Sequence, residues 1–127
     1  MLLREKSNTE RISHILDSVT PIHCDLSTTT SSRLATKIPE VDVIFHLASE
    51  GVSNDYKPLD DLYSVNVLGT QNILRASKEV QVGRFVHVGS CFEYGGGNQI
   101  QEDHVLTPTT DYAATKAEAS RFVLNYS

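Results

Sequence analysis

No cluster of basic residues offsets the acidic ones in this chain. Eleven Lys and Arg face sixteen Asp and Glu, for a formal charge of −5. That balance argues against nucleic acid or an anionic membrane surface as a partner. Cysteine is nearly absent as well. Cys24 and Cys91 stand far apart without a CxxC, a pattern that suits a reduced, cytoplasmic protein better than a disulfide scaffold. The histidines (His14, His23, His46, His87 and His104) lack zinc spacing, so packing or surface roles are expected. Met1–Leu3 is too short an apolar start for a signal peptide. No stretch approaches the roughly 20 apolar residues of a membrane span. Repeats, low-complexity tails and interdomain linkers are missing too. What remains is one domain: 127 residues, 39% hydrophobic and 21% charged, enough for a core.

Read in order, strands and helices alternate. Met1–Leu3 look like the end of a strand. Ser7 and Glu10 have capping-box spacing, and Ile12, Ile15 and Leu16 follow at helical period, so a short helix is expected over 8–18. Residues 19–24 read as a strand, with Pro21 confined to an edge or to its first residues. The Ser/Thr-rich run 27–32 leads into a weak helix containing Leu34, Ala35 and Ile38. Residues 42–48 form a strong strand, and their unbroken apolar run predicts cover on both faces. A loop with Glu50, Gly51, Ser53 and Asn54 follows. The longest helix is expected over 58–80, with Leu62, Val65, Gly69, Ile73 and Ala76 along one stripe. Gly69 costs such a helix about 1 kcal/mol relative to Ala, which suggests close approach to the sheet. Residues 84–89 are the next strand, and 111–125 the last helix, capped near Thr109 or Thr110.

Alternation of this kind implies right-handed crossovers and a parallel sheet. The fold class is therefore α/β, a partial Rossmann-type doubly wound sheet over residues 1–127. Ligands of such sheets bind beyond the carboxyl ends of the strands. Asp25, Ala48–Gly51 and Ser90 all fall there. The most informative stretch runs from Ser90 to Lys116. Tyr112 and Lys116 lie four apart on a helix and so share a face. A neighbouring ammonium favours the phenolate, the tuning a proton-shuttling tyrosine needs. Ser90 stands where it can donate to the same substrate oxygen, or can simply cap the turn after its strand. Asp25 is equally an N-cap for the helix that follows it. Gly95-Gly96-Gly97 reads as a flexible loop, because no helix follows it.

Four segments together resemble the extended short-chain dehydrogenase/reductases, specifically the NAD-dependent nucleotide-sugar epimerase/dehydratase group. They are Cys24-Asp25-Leu26, residues 41–48 ending in His46-Leu47-Ala48, residues 66–74 beginning with Asn66, and Val88–Gly95 followed by Pro108 and Tyr112-x-x-x-Lys116. The resemblance implies hydride transfer between a sugar carbon and NAD, with NADP also open. It makes Tyr112 the proton shuttle and Lys116 the group that binds the nicotinamide ribose and tunes that tyrosine. Ser90 would hold the reacting oxygen. Asp25 would meet the adenine, Leu47 and Ala48 would line the cofactor channel, and Asn66 would support the active-site helix. It also implies a nucleotide-sugar substrate and a homodimer through helices 58–80 and 111–125.

The departures are as instructive. None of the seven glycines forms the glycine-rich turn of the family. Without such a turn no helix N-terminus is expected to receive the pyrophosphate, and the family's C-terminal substrate domain is not expected within these 127 residues. The isolated chain is accordingly expected to bind NAD weakly, to lack turnover and to self-associate. A non-catalytic remnant or binding module on the same scaffold is the alternative. Dehydratases of the group often carry an Asp-Glu pair directly after the residue equivalent to Ser90. Cys91 and Phe92 stand there, and Glu93 is a poor substitute, so epimerase or reductase chemistry is favoured over dehydration.

Overall fold

The structure is a computed structural model describing residues 1–52 and 56–126. Ser53 and Asn54 of the expected loop lie outside the described residues. Among the described residues, four parallel strands form two pairs. Strand β1 (Leu2–Leu3) pairs with β2 (Ile22–His23), and β3 (Val43–His46) pairs with β4 (Arg84–His87). All connections are crossovers, as the alternation requires. The strands form two two-stranded sheets and not one continuous sheet.

The first connection departs from expectation in kind. Glu10–Ser18 is a 3₁₀ helix with no buried residue. The Ser7/Glu10 capping box does not form: the Ser7 hydroxyl instead accepts from the Arg4 amide at 3.0 Å, and Asn8 caps the Glu10 amide at 2.9 Å. Pro21 precedes β2, the position open to a residue without an N–H. Helix α1 (Ser31–Ala35) starts at Thr30, whose hydroxyl accepts from the Arg33 amide. Asp25 is therefore not the cap of this helix.

The expected 58–80 helix is continuous but not uniform. It consists of α2 (Leu59–Tyr63), a π-helical turn (Ser64–Gly69) and α3 (Thr70–Glu79). π-turns inside helices occur frequently at functional sites, and this one carries Asn66. The apolar stripe is core: Leu62, Ile73 and Ala76 are buried. Gly69 does permit a close approach, though to the segment after β2 and not to a strand. A Cβ added there would stand 3.1 Å from the Leu26 Cβ. Leu26, Leu34, Ile73 and Ala76 make the core, with Leu2 and Cys24 packed on it from one sheet and Phe85 from the other. One apolar core thus joins the two sheets. Helix α4 (Asp111–Tyr126) begins at Thr110, whose hydroxyl accepts from the Ala113 amide at 3.1 Å. Its buried face is small (Ala113, Ala117 and Ala119), which lets it lie close against α2 and α3.

Strand β3 corrects the expectation of cover on both faces. Side chains alternate along a strand, and the β3–β4 register sets Ile44 beside Phe85 and His46 beside His87. That face is packed: His46 is 4% exposed, and its ring lies 5.6 Å from His87 and 5.8 Å from Phe85. The opposite face is open, with Phe45 66% and Leu47 67% exposed. An apolar run shows that a strand prefers to be buried. It does not show what arrives to bury it. An open face of this kind favours association. Sedimentation of the purified chain should show mass rising with concentration, and Phe45→Lys should shift it towards monomer. Wild-type protein that stays monomeric at every concentration would contradict this.

Candidate active site

The carboxyl ends of β3 and β4 meet the first turn of α4. Two hydrogen-bonded devices and one close approach hold the side chains there.

The first is Asn66, 1% exposed. Its Oδ1 accepts from the Glu50 amide at 2.8 Å and the Ser49 hydroxyl at 3.2 Å. Its Nδ2 donates to the Glu50 carbonyl and the Thr115 hydroxyl, both at 3.1 Å. The amide therefore uses both donors and both acceptor positions, which a buried amide must do to offset its desolvation. In doing so it fastens the loop after β3 to the π-turn and to α4.

The second is the end of β4. The Val88 amide continues the ladder to the His46 carbonyl, and the Val88 carbonyl accepts from Lys116 Nζ at 2.7 Å. Lys116 is 4% exposed. Burial holds its pKa below the ordinary lysine value, and the nearby Glu93 carboxylate partly offsets this. Glu93, itself 4% exposed, accepts from the Ser90 amide at 2.7 Å, while the Ser90 hydroxyl accepts from the Phe92 amide at 3.3 Å. Ser90 and Glu93 thus form a capping box on the 3₁₀ turn Cys91–Tyr94. The capping reading of Ser90 is realised, and accepting a bond leaves its O–H proton for another acceptor. Gly95 closes the turn at φ +72°, where an added Cβ would stand 2.4 Å from the Thr107 carbonyl oxygen. The expected slack glycine loop is at this residue a packed corner.

The third places Tyr112. The loop after β3 turns at Gly51 with φ +86°, and a Cβ there would lie 2.5 Å from Leu62 Cδ2 and 3.2 Å from Tyr112 Cδ2. Only glycine lets this loop pass beneath the half-buried tyrosine ring.

Ser90, Tyr112, Lys116 and Asn66 are therefore gathered by two strand ends and α4. Leu47 and Ala48 follow β3 and are exposed. Asp25 stands apart, beyond β2. Its carboxylate accepts from the amide and hydroxyl of Ser27 at 2.9 and 2.7 Å, and these bonds lower its pKa. Sequence reasoning undervalued Glu93, although Ser90-x-x-Glu93 has capping-box spacing. It also overlooked Thr115 and Thr70. The Thr70 hydroxyl donates to the Asn66 carbonyl at 2.6 Å, so it must accept from His46 Nε2–H at 2.8 Å. His46 therefore carries a proton on Nε2. Burial foremost, then the charges of His87 and Lys116, push its pKa down to about 4. His87 is likewise pushed down to about 4 by burial and Lys116, and neither of its ring nitrogens has a partner among the described residues.

Comparison with known proteins gives the chain a family. Residues 2–127 match the model of the NAD dependent epimerase/dehydratase family. A 3-beta-hydroxysteroid dehydrogenase of Mycolicibacterium neoaurum is 32% identical over 96% of this chain and 37% of its own length. A dTDP-D-glucose 4,6-dehydratase of Mus musculus is 30% identical over 74% of this chain and 27% of its own. Among solved structures, MoeE5 in complex with UDP-glucose and NAD superposes with a TM-score of 0.73 at 30% identity, covering 84% of this chain and 35% of that one. The chain thus spans 37%, 27% and 35% of the lengths of these three proteins.

Two measurements test the site's architecture. Asn66→Ala strips the Glu50 backbone of its partners and should lower stability by about 3 kcal/mol in urea unfolding. Asn66→Asp should cost more, since a carboxylate would face the Glu50 carbonyl. A loss near zero for both would deny the clamp. The histidines set a pH dependence. Unfolded, each binds a proton below about pH 6.5. Folded, each resists protonation until about pH 4. Between those values the unfolded state binds more protons, so stability falls as pH falls and is insensitive to these groups above 6.5. The folding constant should drop by up to about tenfold per pH unit for each histidine. His87→Leu should reduce that slope by about half, and an unchanged slope would remove His87 from the account.

Proposed function

Because the chain belongs to the NAD dependent epimerase/dehydratase family, we propose that it carries the acid–base centre of a dinucleotide-dependent oxidoreductase acting on a nucleotide sugar. The observation that carries this reading is Lys116, a buried ammonium bonded to the carbonyl of Val88, two residues before Ser90 and one helical turn beyond Tyr112. A lysine with a solvated helix role has no reason to be desolvated. Its burial supports a role beside Tyr112 and Ser90.

The donor chemistry of the chain suits a dinucleotide. The Lys116 ammonium lies at one side, and a cavity of about 640 Å³ lined by Arg4, Lys6, Arg33 and Lys37 lies beyond β1 and β2, where Asp25 also stands. The pyrophosphate contact is assigned to no residue of this chain. Bound NAD supplies a hydride acceptor for the sugar carbon that bears the reacting hydroxyl. Tyr112 takes the hydroxyl proton as that carbon is oxidised and returns it on reduction. Lys116 binds the nicotinamide ribose and favours the tyrosinate. The Ser90 hydroxyl donates to the same sugar oxygen, held in place by Glu93 through the capping box. Leu47 and Ala48 line the approach after β3, and Asn66 keeps the β3 loop and α4 in register.

Cys91 and Phe92, where an Asp-Glu pair would serve elimination, favour epimerisation or reduction over dehydration. The dehydratases among the relatives leave this finer choice to experiment. A homodimer through helices 58–80 and 111–125 belongs to the same reading. Within one chain those helices already pack together, with Arg75 over Phe122 and Lys78 over Tyr126.

The test is turnover of UDP- and dTDP-sugars by the native gene product, followed by NADH absorbance and product mass. An epimerised or reduced sugar is expected, with kcat falling by roughly 10² to 10⁴ in Tyr112→Phe while circular dichroism is unchanged. Loss of water from the sugar would instead make it a dehydratase. Full activity in Tyr112→Phe would remove that tyrosine from the chemistry, and no activity of the native product with any substrate would favour a non-catalytic scaffold.

A further inference from the structure

One acidic side chain lies in the interior without an ion pair. Glu93 is 4% exposed, and among the described residues no cation stands within ion-pair distance of it. A carboxylate so placed either transfers protons itself or acts through its neighbours. Its surroundings favour the second role. Glu93 Oε1 accepts from the Ser90 amide at 2.7 Å. The same oxygen lies against the end of β4: a Cβ added to Gly89 would stand 3.0 Å from it and 3.4 Å from the Ser120 hydroxyl. The carboxylate therefore sits in the angle between the Gly89 backbone and the face of α4 that bears Ser120.

Lys116 shares that face, since positions 116 and 120 are four apart on α4. Its Nζ donates to the Val88 carbonyl at 2.7 Å. Lys116 and Glu93 thus hold the backbone on either side of Gly89, each bonded to the chain instead of to the other. Both are 4% exposed, so little water screens the two charges and their attraction acts across the gap. The other groups around Lys116 give it no such support. His87 on β4 and His46 on β3 resist protonation until about pH 4, and a positive charge there would oppose the ammonium. Tyr112 lies one turn back on α4. Asp60 and Asp61 of α2 are exposed, while Arg75 and Lys78 of α3 lie over Phe122 and Tyr126. Burial disfavours the Lys116 ammonium, and Glu93 is the group that opposes that effect.

We propose that Glu93 is a positioning residue of this site, whose carboxylate both seats Ser90 and keeps the neighbouring Lys116 charged. The inference rests on the acid–base reading above and deepens it, by naming the group that sets the range of pH over which the site works. A lysine without its charge no longer favours the tyrosinate. A Ser90 released from its turn no longer presents its hydroxyl in a fixed place. One side chain thereby serves both partners of Tyr112 without touching substrate. Gly89 belongs to the same device, because a side chain there would crowd the carboxylate in its seat. Glu93 is thus no displaced elimination acid: the oxygen it would use is committed to the Ser90 amide.

The experiment follows the lysine ε-carbon NMR shifts of the purified chain through a pH titration, with the Lys116 signal identified by its loss in Lys116→Met. Glu93→Gln is the decisive variant, since glutamine can still accept from the Ser90 amide but carries no charge. It should lower the Lys116 midpoint relative to wild type and leave the Ser90 amide shift nearly unchanged. Glu93→Asp keeps the charge and shortens its reach. It should disturb the Ser90 amide and hold the midpoint closer to the wild-type value. In the native gene product, turnover by Glu93→Gln on the alkaline limb should fall about tenfold for each pH unit that the midpoint drops. An unmoved midpoint in Glu93→Gln would overturn the proposal, as would an equal drop in both variants, which would mark a packing effect. Failure of Glu93→Gln to fold would make the carboxylate a structural counterion and overturn it too. The proposed function fails separately. A lowered midpoint without turnover keeps Glu93 on Lys116 and loses the enzyme, whereas turnover with an unmoved midpoint loses this inference alone.

Discussion

The Asn66 side chain is the constraint on which the rest of this structure depends. A carboxamide removed from water must recover about as many hydrogen bonds as it gave up, and only one arrangement of its surroundings lets Asn66 do so. The backbone of Glu50 must present both its N–H and its C=O, and Thr115 must present its hydroxyl. Those requirements position the loop after β3 and the start of α4 together. The π-turn follows the same logic. It brings Asn66 inward, and Thr70 caps the Asn66 carbonyl while receiving the proton of His46. A single chain of polar contacts thus runs from the packed face of β3 through the longest helix to the turn bearing Tyr112.

Around that chain the interior is polar to an unusual degree for so small a domain. Lys116, Glu93, His46, Asn66, Thr70 and Thr115 are all nearly inaccessible. Such groups are destabilising unless paired, and nearly all are. Lys116 has a carbonyl, Glu93 an amide, and Asn66 its four contacts. His87 is the exception. Burial first, and then the Lys116 ammonium, keep it neutral, which lets the second ring stack on His46 without a second positive charge. The apolar core proper is smaller and lies elsewhere, between α1, α3 and the two sheets. Order at the strand ends therefore comes from hydrogen bonding, while cohesion of the two strand pairs comes from Leu26, Leu34, Ile73 and Ala76.

Much of this was legible in the chain itself. Alternating strand and helix patterns gave four parallel strands in the expected places. Thr110 capped α4, Pro21 stood at the head of β2, and His46 proved a packed strand-end residue. Each of these depends on neighbours within a few positions. The resemblance to the epimerase/dehydratase group, which rested on four separated segments, agrees with the family match over residues 2–127. Errors arose where a local pattern competed with something distant. Ser7 and Glu10 had capping-box spacing, but Ser7 was drawn to Arg4 at the end of β1. Residues 42–48 had the composition of a strand covered on both sides, but helices reached only the face of Ile44 and His46.

Sequence alone determined the periodicities, the Thr110 cap, the family segments and which residue types could do acid–base chemistry, because these are properties of spacing along one chain. It could not determine that Glu93 would be buried beneath Ser90 and beside Lys116. Nor could it show that Gly51 must admit the Tyr112 ring, or that Arg4, Lys6, Arg33 and Lys37 would surround one cavity. Those are meetings between residues far apart in sequence. Whether a charge is solvated or buried, and whether it faces its own sign or the opposite one, is fixed only when the tertiary fold removes the water between them.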